Sequence, residues 1–377
     1  MSQSINLLDG EKFEDIAGLC LSGGGYRAML YHAGAICRMN RLGLLRRLRR
    51  VSSVSGGSMA AAALAVSWPG LQWNAAGVAT NLDALFLPKI YAQADDTVDV
   101  AGVINWLLPF QSPLQRLLAS YTQNITGNAR IADLPAGPDD PVFVFNATNL
   151  TTGGLFRMRR DYVADRRIGV FRGFDMPLAL AVAASAAFPP FLSPIEIDLS
   201  SIVPNTSGAT TVCAGPPYTQ KALLTDGGVY DNLGLETVWK RCRTIFLSDG
   251  GKPWAPNPSP PDGVAQMGSV VGVATGQCDA LRKRMLFHSY QSRERLGAMW
   301  ALDDGVDDGA PPPPGLTLAE VKIVSTIDTR LRRFDLAVQN LLLKAGWLGA
   351  DDRLTKFYPA STNNYTAAPA QGCPQRH

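Results

Sequence analysis

Histidine is nearly absent: only His32, His288 and His377 occur in 377 residues. Chemistry that depends on several imidazoles, as base or as metal ligands, has little to draw on. The six cysteines, Cys20, Cys37, Cys213, Cys242, Cys278 and Cys373, show neither CxxC spacing nor companion histidines. That argues against a zinc site and against a dense disulfide framework, and the thiols read as mostly reduced and buried. No apolar run approaches the roughly 20 residues that span a bilayer, and the first residues, MSQSINLLDGEKFEDI, lack the charged-then-apolar layout of a secretion signal. A soluble protein is expected, cytoplasmic or peripheral to a membrane. Acid is missing locally as well. No Asp or Glu lies between Asp15 and Asp83, while Arg27, Arg38, Arg41, Arg46, Arg47, Arg49 and Arg50 all fall there. This basic run either draws the chain to anionic membranes or is a solvated helix end. A net charge of only +3 gives no reason to expect nucleic acid as a partner.

What is present is a well-filled globular composition, 46% apolar against 18% charged. GLCLSGGG (18–25) reads as a buried strand ending in a glycine turn, and Tyr26–Leu45 has helical periodicity. Arg49–Ser55 reads as a second strand and Met59–Trp68 as a second helix. This strand-turn-helix rhythm is that of an α/β fold on a parallel sheet. Further strands are expected at 141–150, 221–228 and 243–251, and a helix over Met176–Phe188 that Pro189 and Pro190 stop. Helical stretches follow from Val264 to about Leu302 and from Thr326 to Leu348. One domain is expected over 1–358, with a Pro-rich connection at 303–315, a C-terminal helical cap at 316–358 and a flexible tail at 359–377.

Four serines crowd VSSVSGGSMA (51–60). A nucleophilic serine must project from a tight strand-to-helix turn that tolerates only small neighbours. Ser55 sits at that apex, with Ser53 and Gly57 in the flanking places, and the Gly56-Gly57 pair frees amides where an oxyanion would develop. Ser58 fits a looser pattern from inside the helix, and Ser52 and Ser53 lie on the strand. SGGGYRAM (22–29) offers a second set of amides, beside Arg27. The same glycines fit a relaxed dinucleotide fingerprint, yet the acidic residue due at the end of the second strand is replaced by arginines and serines.

A base is needed next. Asp226 in LLTDGGVYDNLGLE and Asp249 in SDGG each end a strand before two glycines. A carboxylate of ordinary pKa near 4 serves only where desolvation raises that value. A Ser55-Asp226-His288 triad follows the α/β-hydrolase order, but that fold places several strands before its nucleophile and only one precedes Ser55 here. A serine-aspartate dyad fits better.

GGGYRAM (23–29), VSSVSGGS (51–58) and TDGGVYDNLG (225–234), in this order and spacing, resemble the patatin-like phospholipases, including the bacterial branch and the catalytic domain of cytosolic phospholipases. FNATNLTTGG, ASAAFPPFLSP and TRLRRF (329–334) also look like segments of that family. The resemblance implies a three-layer αβα sandwich around a mostly parallel sheet, with C-terminal helices. It implies that Ser55 is the nucleophile and Asp226 its partner, and it chooses Asp226 over Asp249. Gly23, Gly24 and Gly25 would supply oxyanion amides with Gly56, and Arg27 would steady that loop or an anionic head group. The expected activity is hydrolysis of fatty-acyl esters of lipids through an acyl-enzyme, without cofactor or metal. Two other readings stand beside it: a nucleotide-dependent oxidoreductase using the glycine loop, and a non-catalytic binding protein that keeps the fold.

Overall fold

The computed structural model describes residues 12–98, 113–189, 192–207, 212–254, 256–259, 261–263, 266–306, 310–358 and 372–376. The chain opens with β1 (Glu14–Leu21), α1 (Gly25–Arg41), β2 (Leu48–Ser53) and α2 (Gly56–Ser67), the alternation expected from the sequence. Helices α3 (Leu82–Asp95) and α4 (Pro113–Tyr121) follow, then β3 (Val142–Asn149). A meander of β4 (Gly154–Arg159), β5 (Tyr162–Asp165) and β6 (Gly169–Arg172), which periodicity did not announce, leads to α5 (Leu178–Ser185). Next come β7 (Ile195–Asp198), β8 (Lys221–Asp226), the one-turn helices α6 (Gly228–Asp231) and α7 (Glu236–Trp239), and β9 (Cys242–Asp249). The chain closes with α8 (Gln266–Gln291), β10 (Leu296–Ala301), α9 (Leu318–Thr326) and α10 (Leu336–Phe357).

The ten strands among the described residues join one sheet in the order β10-β9-β1-β2-β3-β4-β5-β6, with β8 bridging β3 to β7. The first five strands of that order pair in parallel and the rest antiparallel. Parallel strands must be covered on both faces, and side-chain alternation shows how. Leu19 and Leu21 of β1, Phe246 of β9 and Trp300 of β10 enter the larger core with α1, α2 and α10. Cys20, Ile245 and Leu247 point the other way, into a second core with Val238 and with Leu286 of α8. The result is an αβα sandwich.

Two expectations of continuous helix are corrected. The stretch reaching Leu302 breaks after Gln291, and Leu296–Ala301 is a strand paired with β9. Arg293 makes the turn at φ 58°, so no glycine or proline marked the break. The stretch from Thr326 to Leu348 is interrupted between α9 and α10. The segment between them gives its carbonyls away: Arg330 O accepts from the Tyr26 N–H at 3.1 Å, and Leu331 O from the Val98 N–H at 2.8 Å.

Most of the basic run is engaged, while Arg46 and Arg47 stay exposed. Arg38 is buried against Asp351, Arg41 pairs with Asp83 and Arg49 with Asp139, both at 2.8 Å. Arg46 stacks 5.0 Å over the Trp73 ring, and Arg50 is buried. Four cysteines (Cys20, Cys37, Cys213 and Cys242) are buried thiols, while Cys278 is exposed. Residues 359–371 of the expected tail lie outside the described residues, but its end is held: Arg376 pairs with Asp95 and exchanges hydrogen bonds with Asn340. Among the described residues, no helix is long and apolar enough to cross a membrane.

Candidate active site

β2 delivers Ser55 into a turn so sharp that its backbone takes φ 51°, ψ −117°, a region L-residues rarely occupy. The turn is held against the end of β1, where Leu21 O accepts from the Val54 N–H at 3.1 Å and Ser22 O from the Gly57 N–H at 3.1 Å. Such closeness requires glycine. A Cβ on Gly56 would lie 2.1 Å from the Gly25 carbonyl oxygen, and one on Gly57 2.3 Å from that of Leu21.

The other three serines are spent on structure. Ser52 Oγ donates to Gly234 O at 2.6 Å, and Ser58 Oγ donates to Ser53 Oγ at 3.0 Å. Ser55 is the one of the four whose hydroxyl bears on a carboxylate, acting to lower the pKa of Asp226. Both remain slightly accessible, with 7% and 4% of their surface exposed. Asp226 ends β8, and its Oδ1 also accepts from the Gly228 N–H at 2.7 Å. Burial pushes this carboxyl up to about 6, and the two hydrogen bonds oppose that rise only in part.

Asp249 is differently placed. It pairs with Lys283 of α8, and its Oδ1 accepts from the Gly251 N–H at 2.9 Å. Burial acts to raise its pKa, yet Lys283 and these bonds hold it below the usual carboxylate range. No histidine among the described residues is bonded to Ser55. His32 is fully buried, its Nε2 donating to Ser22 O at 2.9 Å and its Nδ1 facing Ser248 Oγ at 2.8 Å. Burial lowers its pKa to about 4, so it is neutral. His288 is exposed on α8, and His377 lies outside the described residues.

The glycine turn faces the Ser55 elbow, since a Cβ on Gly23 would come 3.3 Å from Ser55 Cβ. Its amides are not equivalent. The Gly23 N–H donates to Asn232 O at 3.0 Å and is therefore committed. Gly24 and Gly25, at φ 145° and 60°, open α1 with N–H groups that meet no acceptor among the described residues, as does Gly56 at the start of α2. Helix starts leave such donors free. Arg27 is fully buried under the loop, with Nε donating to Gly250 O at 3.0 Å and Nη1 to Ile327 O. Its pKa falls to about 10 through burial. It braces the turn from inside and is closed to a head group.

Three positioning residues escaped the sequence reading. Ser185 Oγ accepts from the Ser55 N–H at 3.1 Å, meets Ser58 Oγ at 2.8 Å and donates to Asn146 O at 2.6 Å. Asn146 Nδ2 in turn donates to Ser52 Oγ and Ser53 O, each at 2.9 Å. Asn232 reaches between the two loops, its Oδ1 2.3 Å from where a Cβ on Gly23 would sit and 2.7 Å from that of Gly228. The signal was there: all three lie in segments that resemble the family.

A family model for patatin-like phospholipases matches residues 19–239, more than half of the chain and the stretch that carries both Ser55 and Asp226. The chain belongs to that family. Lipid acyl hydrolysis is the family's activity, and the α/β fold agrees with it. Among solved structures, the patatin-like chain is similar to human GIVD cytosolic phospholipase A2, with a TM-score of 0.53 at 10% identity over 93% of this chain. The same human enzyme in complex with methyl gamma-linolenyl fluorophosphonate and terbium chloride gives a TM-score of 0.51 at 12% identity over 94% of this chain. The match spans 62% and 60% of those longer chains. At such identity the likeness concerns the fold. No curated protein matches the patatin-like chain in sequence.

Proposed function

We propose that this chain hydrolyses fatty-acyl esters of lipids through a Ser55-Asp226 dyad. One observation carries the reading: the strained elbow sets the Ser55 hydroxyl between the glycine turn and the buried Asp226 carboxyl, which burial pushes up to about 6. As Ser55 Oγ attacks the ester carbonyl, its proton passes to Asp226, and the C–O bond to the leaving alcohol breaks as that alcohol takes the proton. The carbonyl oxygen, negative in the tetrahedral intermediate, is received by the free amides of Gly24, Gly25 and Gly56 at two helix starts. Water, deprotonated by Asp226, then attacks the acyl carbon, and the bond to Ser55 Oγ breaks as Oγ takes that proton back and the fatty acid leaves.

A dinucleotide reading of the glycine loop finds less support, because the Ser55 turn packs closely against that loop. No cofactor or metal enters the proposed scheme. Residues up to 358 are proposed to work as one hydrolase domain, since Leu343, Trp347 and Leu348 of α10 share the core of α1. The proposed setting is the cytoplasm or a membrane periphery.

The test is a fluorophosphonate ester probe followed by peptide mass spectrometry. Label on Ser55 is expected, with Ser55→Ala and Asp226→Ala folded but at least about a hundredfold slower on a lipid ester. Label on another serine, or full turnover in either variant, overturns the dyad.

A further inference from the structure

We propose that the outward face of α8 is the surface by which the protein docks on a lipid bilayer, a reading that rests on the acyl-hydrolase assignment. The helix is unusual in how little of it is covered. Among its residues from Gln266 to Gln291 only Leu286 and Ser289 are buried. Its inner side is attached at the C-terminal half: Arg282 pairs with Asp231 at 3.4 Å, Lys283 with Asp249, and the Tyr290 hydroxyl donates to Ile245 O at 2.7 Å. Nearer the start, Trp254 lies over Gly272, where a Cβ would meet its ring at 2.8 Å.

The opposite side carries Met267, Val271, Ala274, Cys278, Leu281 and Met285, a spacing of alternating four and three residues along five turns. These side chains are open to solvent; Met267 is 63% and Leu281 57% exposed. Exposed Val270 and Val273 widen the strip to roughly 160° of the helix circumference at about 100° per residue.

Two features decide between a partner helix and a lipid surface. A seam for a second helix is narrow and flanked by charged positions. Here no charged residue occurs on any side from Gln266 to Cys278, and Gly268, Gly272 and Gly276 make this half a weak helix former in water. A wide apolar face without charge suits insertion at the boundary of head groups and acyl chains. The exposed Arg284 and Arg293, beyond the uncharged half, have the sign that suits anionic phosphates. Location completes the argument. Asp231, the partner of Arg282, belongs to the same loop as Asp226, and Val229 between them is itself exposed. α8 is thus anchored beside the turn that follows Asp226, so docking through it holds the candidate site close to the lipid surface.

The experiment is flotation of the full chain with vesicles of phosphatidylcholine containing phosphatidylglycerol, compared with a Val271→Asp/Leu281→Asp variant whose two sites are exposed. The expected result is wild-type flotation and at least about a tenfold loss in the variant. Vesicle phospholipid hydrolysis should fall in parallel, while turnover of a short-chain water-soluble ester is retained. Equal flotation of both proteins overturns the proposal, as does wild type that stays with the soluble fraction. A lipid-free wild-type dimer that the variant abolishes, without vesicle binding, assigns the face to a second copy instead. Flotation does not depend on turnover, so a protein that floats yet cleaves neither ester rejects the hydrolase reading and leaves the docking surface standing.

Discussion

The backbone N–H of Ser55 donates to the side-chain oxygen of Ser185 at 3.1 Å, so the elbow is held by a residue 130 positions away. A backbone at φ 51° persists only when its surroundings over-determine it. Ser185→Ala leaves this N–H without its acceptor inside the protein, and also removes one of the two hydroxyls beside Ser58 Oγ. We expect a loss of about 1–3 kcal/mol in urea denaturation. Steady-state kinetics should show the turnover number falling by about tenfold or more while KM stays within about twofold, because the defect lies in the nucleophile's placement.

The Asp226 carboxyl near 6 predicts the acid limb of the activity profile. In the proposed dyad Asp226 accepts a proton only when ionised, so turnover should rise with pH through about 6 and level off above it. A profile flat between pH 5 and about 8 would remove Asp226 as the base.

Stability runs the opposite way at the same residue. The folded pKa lies above the 3.8 of the unfolded chain, so the contribution of protonated Asp226 is complete below that value and is lost as pH rises through about 6. A gap of about two units corresponds to at most about 3 kcal/mol. Asp226→Asn, which keeps an acceptor for the Gly228 N–H, is therefore expected to be inactive yet at least as resistant to urea as wild type at pH 8, and no more resistant at pH 4.

The pair of Asp249 and Lys283 should behave in the reverse sense. Asp249 has its pKa held down, so its contribution is present above the ordinary carboxylate range and disappears on acidification. Asp249→Asn removes the main counter-charge of the Lys283 ammonium and leaves it Asp279 and Asp303, at a cost of about 1–3 kcal/mol near neutral pH. Denaturation curves at pH 7 and pH 3 should show the difference between variant and wild type shrinking at the lower value.

Close approach at the elbow gives a last test. Gly56→Ala places a methyl group 2.1 Å from the Gly25 carbonyl oxygen, and backbone has to move to admit it. Fluorophosphonate labelling should slow by about a hundredfold or more, since the elbow and the Gly25 amide shift together. Labelling at the wild-type rate would show that the two loops are not in register during attack.

Much of this was legible along the chain because it is written locally. The triple glycine after a buried strand, the serine cluster before an alanine-rich helix and the Asp-Gly-Gly at a strand end are short motifs, and their order pointed to the family. Periodicity found β1, α1, β2 and α2 because each buries a regular set of side chains. What it missed was set by contacts distant in sequence. The carbonyls of Ile327 and Arg330 serve Arg27 and Tyr26, so the chain there cannot be helix, and Leu296–Ala301 becomes a strand only because β9 offers an edge.

By itself the sequence determined the chemistry available: a hydroxyl at a tight turn, two competing aspartates, amides freed by glycine, and few histidines. The family resemblance had already favoured Asp226 over Asp249, and tertiary structure adds the physical reason, because a carboxylate's basicity depends on what surrounds it. Lys283 claims Asp249 and lowers its pKa, while Asp226, buried without a cation, faces Ser55 and rises. The arginine run shows the same division. Acid was absent around it in sequence, and folding supplied Asp83, Asp139 and Asp351 from afar, because burying or fixing a charge demands a counter-charge wherever the chain can bring one.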